Sequence, residues 1–146
     1  MATFSFAHDV SGSGASFSAR LLPSEARALH EALSYCARTE ADDAYLNLLL
    51  GVGRDVVDAL LTRLCGPHAG PFDIRLRPDE LHMLLCALTN AATHFVQAGG
   101  EFCQESFHIR LGHFRQDFDA LALAINNAAY VAYETPTTHV THAVAE

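Results

Sequence analysis

A chain of 146 residues, half of them apolar, falls within the size of one domain and can bury a core without metal or disulfide staples. Seventeen carboxylates stand against nine arginines and no lysine, a net charge of −8, which argues against a nucleic-acid backbone or an anionic membrane surface as direct partner and favours a basic protein. The opening MATFSFAHDVSGSG has neither the basic nor the apolar region of a secretion signal, and no apolar run approaches the roughly 18 residues that span a bilayer, so a soluble, cytoplasmic protein is expected.

Phe17-Ser18-Ala19-Arg20-Leu21 alternates apolar and polar residues as a half-buried strand does. Pro23 then suits the first turn of a helix, with Ser24 and Glu25 beside its free N–H groups, although Leu22 is a poor N-cap. Ala26, Leu29, Leu33 and Cys36 form the apolar stripe of that helix. Glu40, Asp42 and Asp43 fill the loop that follows, and Leu46 to Leu50 (LNLLL) favours a buried helix ended by Gly51, a residue able to take the left-handed conformation. The next helix buries Val56, Val57, Leu60, Leu61 and Leu64, and the chain breakers after it mark a linker over 65–71.

From Phe72 the pattern begins again. At an offset of 55, Phe17/Phe72, Arg20/Arg75, Leu21/Leu76, Pro23/Pro78, Glu25/Glu80, Leu29/Leu84, Ala32/Ala87 and Leu33/Leu88 are identical, where chance would give about one match. At an offset of 61 a second block repeats as Leu50/Leu111, Gly51/Gly112, Arg54/Arg115, Asp58/Asp119, Ala59/Ala120 and Leu60/Leu121. The second copy therefore predicts a strand over Phe72 to Leu76 and a helix from Pro78 whose stripe is Leu81, Leu84, Leu85, Leu88, Ala92 and Phe95, with Arg77 a poor N-cap. FHIRL from Phe107 alternates like a strand while its counterpart LNLLL favours a buried helix, a conflict that leaves this element open between the two with a lean to helix, and a last helix buries Phe114, Phe118, Leu121, Ile125 and Ala128. The expected fold is mainly α: one domain over 1–146, internally duplicated as 17–64 and 72–130, each half a short strand followed by a helix pair, and α+β if the short strands pair. The tail 135–146 has no periodicity and is expected to fray.

Few groups suggest chemistry. Cys65-x2-His68 and His82-x3-Cys86 have the spacing of two zinc-ligand pairs, but His82 and Cys86 stand where the first copy has Arg27 and Glu31, an ordinary i, i+4 charge pair. No metal or other cofactor is therefore expected. His108 and His113 with Glu101 and Glu105 could form a base and its carboxylate, yet their repeat counterparts include Asn47 and Val52, and no nucleophile, zinc-protease or phosphate-loop motif is present. A non-enzymatic role follows, with Cys36, Cys65, Cys86 and Cys103 as reduced thiols. Arg20 and Arg75 are expected to point outward and pair with Glu25 or Glu80; Arg54 and Arg115, unfavourable at helix starts, would either lock one helix pair to the next or be solvated. LGVGR and LGHFR resemble the turn of a helix-turn-helix, but Asp55, Asp58, Asp117 and Asp119 on the second helices oppose a duplex.

The phrases LRPDEL (Leu76 to Leu81), Glu101-Phe102 and FHIRLGHFRQDFDAL (Phe107 to Leu121) resemble a recurring pattern of small acidic immunity proteins that bacteria encode beside polymorphic or contact-dependent toxins. The likeness covers mainly 72–122, and Gln116-Asp117 stands where a pair of glutamates is common. It implies an inhibitor that neutralises a cognate toxin, often a cationic nuclease, by protein binding. Glu40, Asp42, Asp43, Glu101 and Glu105 would supply the charge and Tyr45, Phe102 or Phe107 the anchors. The alternatives are a self-assembling helical structural or regulatory protein, with an apolar seam forming a homodimer, then a helix-turn-helix module or a zinc-dependent enzyme.

Overall fold

In the computed structural model, which describes residues 6–9, 16–96 and 106–134, three short strands form one antiparallel sheet in the order β1-β2-β3. They are β1 (Phe6–Asp9), β2 (Ser16–Leu21) and β3 (Phe72–Leu76). The β2–β3 register sets Phe17 opposite Leu76, Ala19 opposite Ile74 and Leu21 opposite Phe72. Ala19 and Ile74 are repeat equivalents, and the repeat exchanges the flanking pairs Phe17–Leu76 and Leu21–Phe72, so the two copies of the strand are related by a local twofold through the Ala19–Ile74 pair. Ala19, Leu21, Ile74 and Leu76 are buried, whereas Arg20 and Asp73 face outward and form an ion pair at 3.3 Å. Arg20 therefore pairs across the sheet and not with Glu25 or Glu80, which turn inward. β1 has no signature in the sequence pattern; it is a strand because it completes the hydrogen bonds on the other edge of β2.

Each half continues with two long helices and a short one between them. These are α1 (Pro23–Thr39), α2 (Asp43–Leu50) and α3 (Arg54–Leu64), then α4 (Pro78–Phe95), α5 (Phe107–Leu111) and α6 (Arg115–Glu134). The protein is thus mainly α with paired short strands, and Phe107 to Leu111 is helical. α1 packs on α4 at the centre, α3 covers α1, and α6 covers α4. The short helices cross over: α2 packs on α4 and α5 on α1, so each half caps the long helix of the other. One apolar cluster runs through both halves, including Leu29, Leu33 and Cys36 of α1, Leu84 and Leu88 of α4, and Phe118 and Ile125 of α6. Phe107 belongs to it, edge-on to Phe95 and Phe118 at centroid distances of 5.6 and 5.5 Å, and is a core aromatic and no surface anchor.

Phe114 departs from the expected stripe. It is 56 % exposed because it precedes α6, where its N–H donates to Asp117 Oδ2 at 3.0 Å and its ring stacks on His108. Gly51 and Gly112 end α2 and α5 in the left-handed region, with φ of 75° and 71°, as their place in the repeat requires.

The poor N-caps are repaired by the third helical residue. The Leu22 N–H donates to Glu25 Oε2 at 2.8 Å and the Arg77 N–H to Glu80 Oε2 at 2.9 Å, the glutamate half of a capping box whose other half neither side chain can supply. Both glutamates are only 5 % exposed, so their second oxygens also need partners. Glu80 Oε1 receives Arg63 of α3 at 2.7 Å, and Arg63 also donates to the Arg75 carbonyl of β3. Glu25 Oε1 finds no hydrogen-bond partner among the described residues, because the position equivalent to Arg63 is Ala124. Glu80→Ala should therefore cost about 2–3 kcal/mol, a cap plus a charged hydrogen bond, and Glu25→Ala only about 1 kcal/mol, as compared by urea unfolding. Equal losses would show that the Arg63 pair contributes nothing.

Candidate functional site

Among the residues expected to bind a partner, Glu40, Asp42, Asp43 and Tyr45 lie together where α1 turns into α2. Glu101, Phe102 and Glu105 fall outside the described residues, as do Cys103 and the tail 135–146. The acidic turn is built for the fold as well as for its surface. Asp42 is the N-cap of α2, its Oδ1 accepting from the Ala44 and Tyr45 N–H groups at 2.8 and 3.3 Å. Glu40 ends α1 and its Oε1 accepts the Asp42 N–H at 3.3 Å.

Arg54, the first residue of α3, is what ties this turn down. Its guanidinium donates to the Ala37 carbonyl at 3.0 Å, the Glu40 carbonyl at 2.7 Å and Asp43 Oδ1 at 2.5 Å. A cation unfavourable for its own helix thus sits at the negative end of α1, where free carbonyls await a donor. Arg115, its repeat equivalent, pairs with Asp119 at 3.9 Å, both side chains being well exposed. The same residue holds a turn in one half and is solvated in the other.

Beyond the turn, α2 and the start of α3 enclose a shallow hollow of about 810 Å³. Asp43, Asn47 and Asp55 stand around it, with Arg54 at its base and Leu48 beside them. Leu48 is 80 % exposed and Tyr45, nearby on the same short helix, 44 %. LNLLL is therefore not buried throughout: Leu46 and Leu50, four apart, take the core, and Leu48, two residues from each, must point away. Leu48 and Asp55 were not among the anticipated partner residues, although the i, i+4 spacing already singles Leu48 out.

The zinc-like set is not assembled. His82 and Cys86 meet on α4, with Nε2 3.4 Å from Sγ, beside Gly51. His68 instead stacks flat on Phe72 at 3.5 Å, and Cys65 is exposed at the end of α3. Among the described residues no three His, Cys, Asp or Glu side chains converge as metal ligands. His108 stacks on Phe114 at 4.8 Å and His113 lies 6.1 Å from Phe118, and the carboxylates expected beside them, Glu101 and Glu105, are outside the described residues. Among the described residues no helix is long and apolar enough to cross a membrane.

Compared with protein-family models, with curated proteins and with solved structures, the chain has no match.

Burial controls the thiols. Loss of hydration pushes the Cys36 thiol from 9.0 up to about 12, with the charge of a Cys86 thiolate adding to the shift and a backbone hydrogen bond opposing it; burial also raises Cys86. In the folded state Cys36 keeps its proton where the unfolded thiol would lose it. Its contribution to stability is therefore complete below pH 9 and falls as pH rises toward 12. Peptide-resolved alkylation at pH 8 should label Cys65 rapidly, Cys86 slowly and Cys36 only after denaturant is added. In the same assay series, Arg54→Ala should lose about 2 kcal/mol of unfolding free energy and Arg115→Ala less than about 0.5 kcal/mol.

Proposed function

We propose that this is a non-catalytic binding protein of the immunity type, which neutralises a cognate basic bacterial toxin in the cytoplasm through its acidic α1–α2 turn and the adjoining face of α3. One observation carries the reading: Leu48, an apolar side chain 80 % exposed, stands beside a hollow rimmed by Asp43 and Asp55. An apolar anchor with charged neighbours is the common plan of a protein-binding hot spot, in which the anchor supplies affinity and the rim steers approach. The chain's charge of −8 would speed association with a cationic partner and make the rate fall with salt. The cap and the Arg54 contacts hold the turn rigid before binding, which reduces the ordering cost on association. The resemblance in 72–122 supports the same class, and a nuclease domain is the kind of toxin it favours.

A second reading, self-assembly, draws on Leu123, Tyr130 and Val131, which are exposed on α6. Multi-angle light scattering separates the two: an inhibitor of this kind remains a monomer at micromolar concentration, and a self-assembling protein has at least twice the mass of 15.8 kDa.

The decisive test uses the tagged full chain as bait in its native lysate, with retained proteins identified by mass spectrometry and then co-expressed with it. A single stoichiometric basic partner is expected, toxic when expressed alone and harmless with the bait. Leu48→Asp and Asp55→Arg, which leave the Asp42 cap and the Arg54 contacts intact, should abolish both retention and protection. Retention unaffected by either substitution, or recovery of the bait alone, overturns the proposal.

A further inference from the structure

The local twofold makes the crevice between α1 and α5 equivalent to that between α4 and α2, and only one of them is filled. In the α4–α2 crevice His82 sits against Gly51, its ring carbon 3.4 Å from where a Cβ would stand, and its Nε2 contacts Cys86. In the α1–α5 crevice the equivalent residues are Arg27, Gly112 and Glu31. There, among the described residues, no atom lies within 4 Å of a Cβ placed on Gly112, and the crevice opens into a groove of about 530 Å³ along α1. Arg27 and His30 of α1 and Arg110 and His113 at the end of α5 line it.

Arg27 and His30 also line a second hollow of about 400 Å³, closed by the end of α3 and the linker, where Pro23, Leu64 and Pro67 give it apolar walls. His68 lines this hollow, held by its stack on Phe72, and its buried Nε2 has no hydrogen-bond partner among the described residues. A buried ring nitrogen left in this state is destabilising unless something binds it.

The charge here runs against that of the molecule. Among the described residues two arginines and three histidines line the two hollows, and the carboxylate among them, Glu31, is already engaged by Arg38 and His30, each at 3.8 Å. Among the described residues Arg27 is the arginine that makes neither an ion pair nor a side-chain hydrogen bond; the other eight all have a partner. On a protein of net charge −8, an unneutralised guanidinium at the centre of a concave site is an invitation to an anion.

We propose that the α1 groove, centred on Arg27 and His30, binds a small organic phosphate, with the phosphate on Arg27 and the organic part against Pro23, Leu64 and Pro67. The two hollows have the size of small-molecule sites, and a dianion matches clustered arginine and histidine donors better than a single carboxylate would. None of these residues belongs to the α2–α3 surface, so the groove and the partner-binding face stand or fall separately.

The test is an amide-resolved NMR titration of the full chain with phenyl phosphate, inorganic phosphate and phenol, at ionic strength held constant with sodium chloride. Phenyl phosphate is expected to produce saturable shifts in the first turns of α1 and at Gly66 and Gly112, with inorganic phosphate weaker and phenol inactive. Arg27→Gln, a surface change that should leave the remaining spectrum intact, is expected to weaken binding at least about tenfold. Arg38→Gln, on the same helix outside the groove, should bind as the parent does. Non-saturating shifts, equal affinity for inorganic phosphate, or an Arg27→Gln protein that binds like the parent would each overturn the assignment.

Discussion

The antiparallel pairing of β2 with β3 is the constraint from which the architecture follows. Two copies of one strand, paired antiparallel about Ala19 and Ile74, necessarily acquire a local twofold. The helices that leave those strands are then carried into matching positions, α1 against α4, with each short helix reaching the other half's long helix. One buried sheet face and a shared apolar cluster result, and neither half could cover its own stripe alone. The edges of the sheet are managed differently. β1 occupies the outer edge of β2, whereas β3 carries outward-facing Asp73 and Arg75 and lends a backbone carbonyl to Arg63.

Symmetry of backbone has not preserved symmetry of polar chemistry. Glu25 and Glu80 perform the same local task, accepting the N–H that precedes each long helix. Only Glu80 meets an arginine, because α3 offers Arg63 where α6 offers Ala124. Arg54 and Arg115 divide similarly: one satisfies two carbonyls at the end of α1, and the other makes a long, exposed pair. A duplicated scaffold tolerates such divergence because helix caps are local, while charge partners come from elements that can change independently. The two surfaces to which roles are assigned arise from this divergence. An acidic, leucine-centred face is anchored by Arg54, and an open cationic groove has Arg27 where the other half has His82.

Much of this organisation was legible before any coordinates. Period-two strands, proline at helix starts, apolar stripes and glycine stops are local signals, and their recurrence at a fixed offset reinforced each of them. For FHIRL the repeat favoured a helix against a strand-like alternation, and the tertiary structure settles it as α5. Misjudged positions share one cause: their fate depends on neighbours distant in sequence. Phe114 seemed to extend a stripe but precedes the helix; Arg20 finds its carboxylate across the sheet on Asp73; and four residues at Phe6 become a strand only because β2 has an edge to offer.

What the sequence alone determined, then, is the series of elements from β2 onward and the inward faces of the long helices, written in spacings shorter than one helix, and the equivalence of the two halves, written in recurrence at offsets of 55 and 61 residues. Tertiary structure decided which side chains become surfaces. It placed Leu48 in the open beside Asp43 and Asp55, drew Asp42, Asp43 and Glu40 into the support of a turn, and separated His68 from His82 and Cys86. It also left Arg27 without a carboxylate in a crevice whose twin is filled. Burial, ion pairing and concavity are properties of groups brought together from remote parts of the chain. No local pattern can state them until the strands have paired and the helices have crossed.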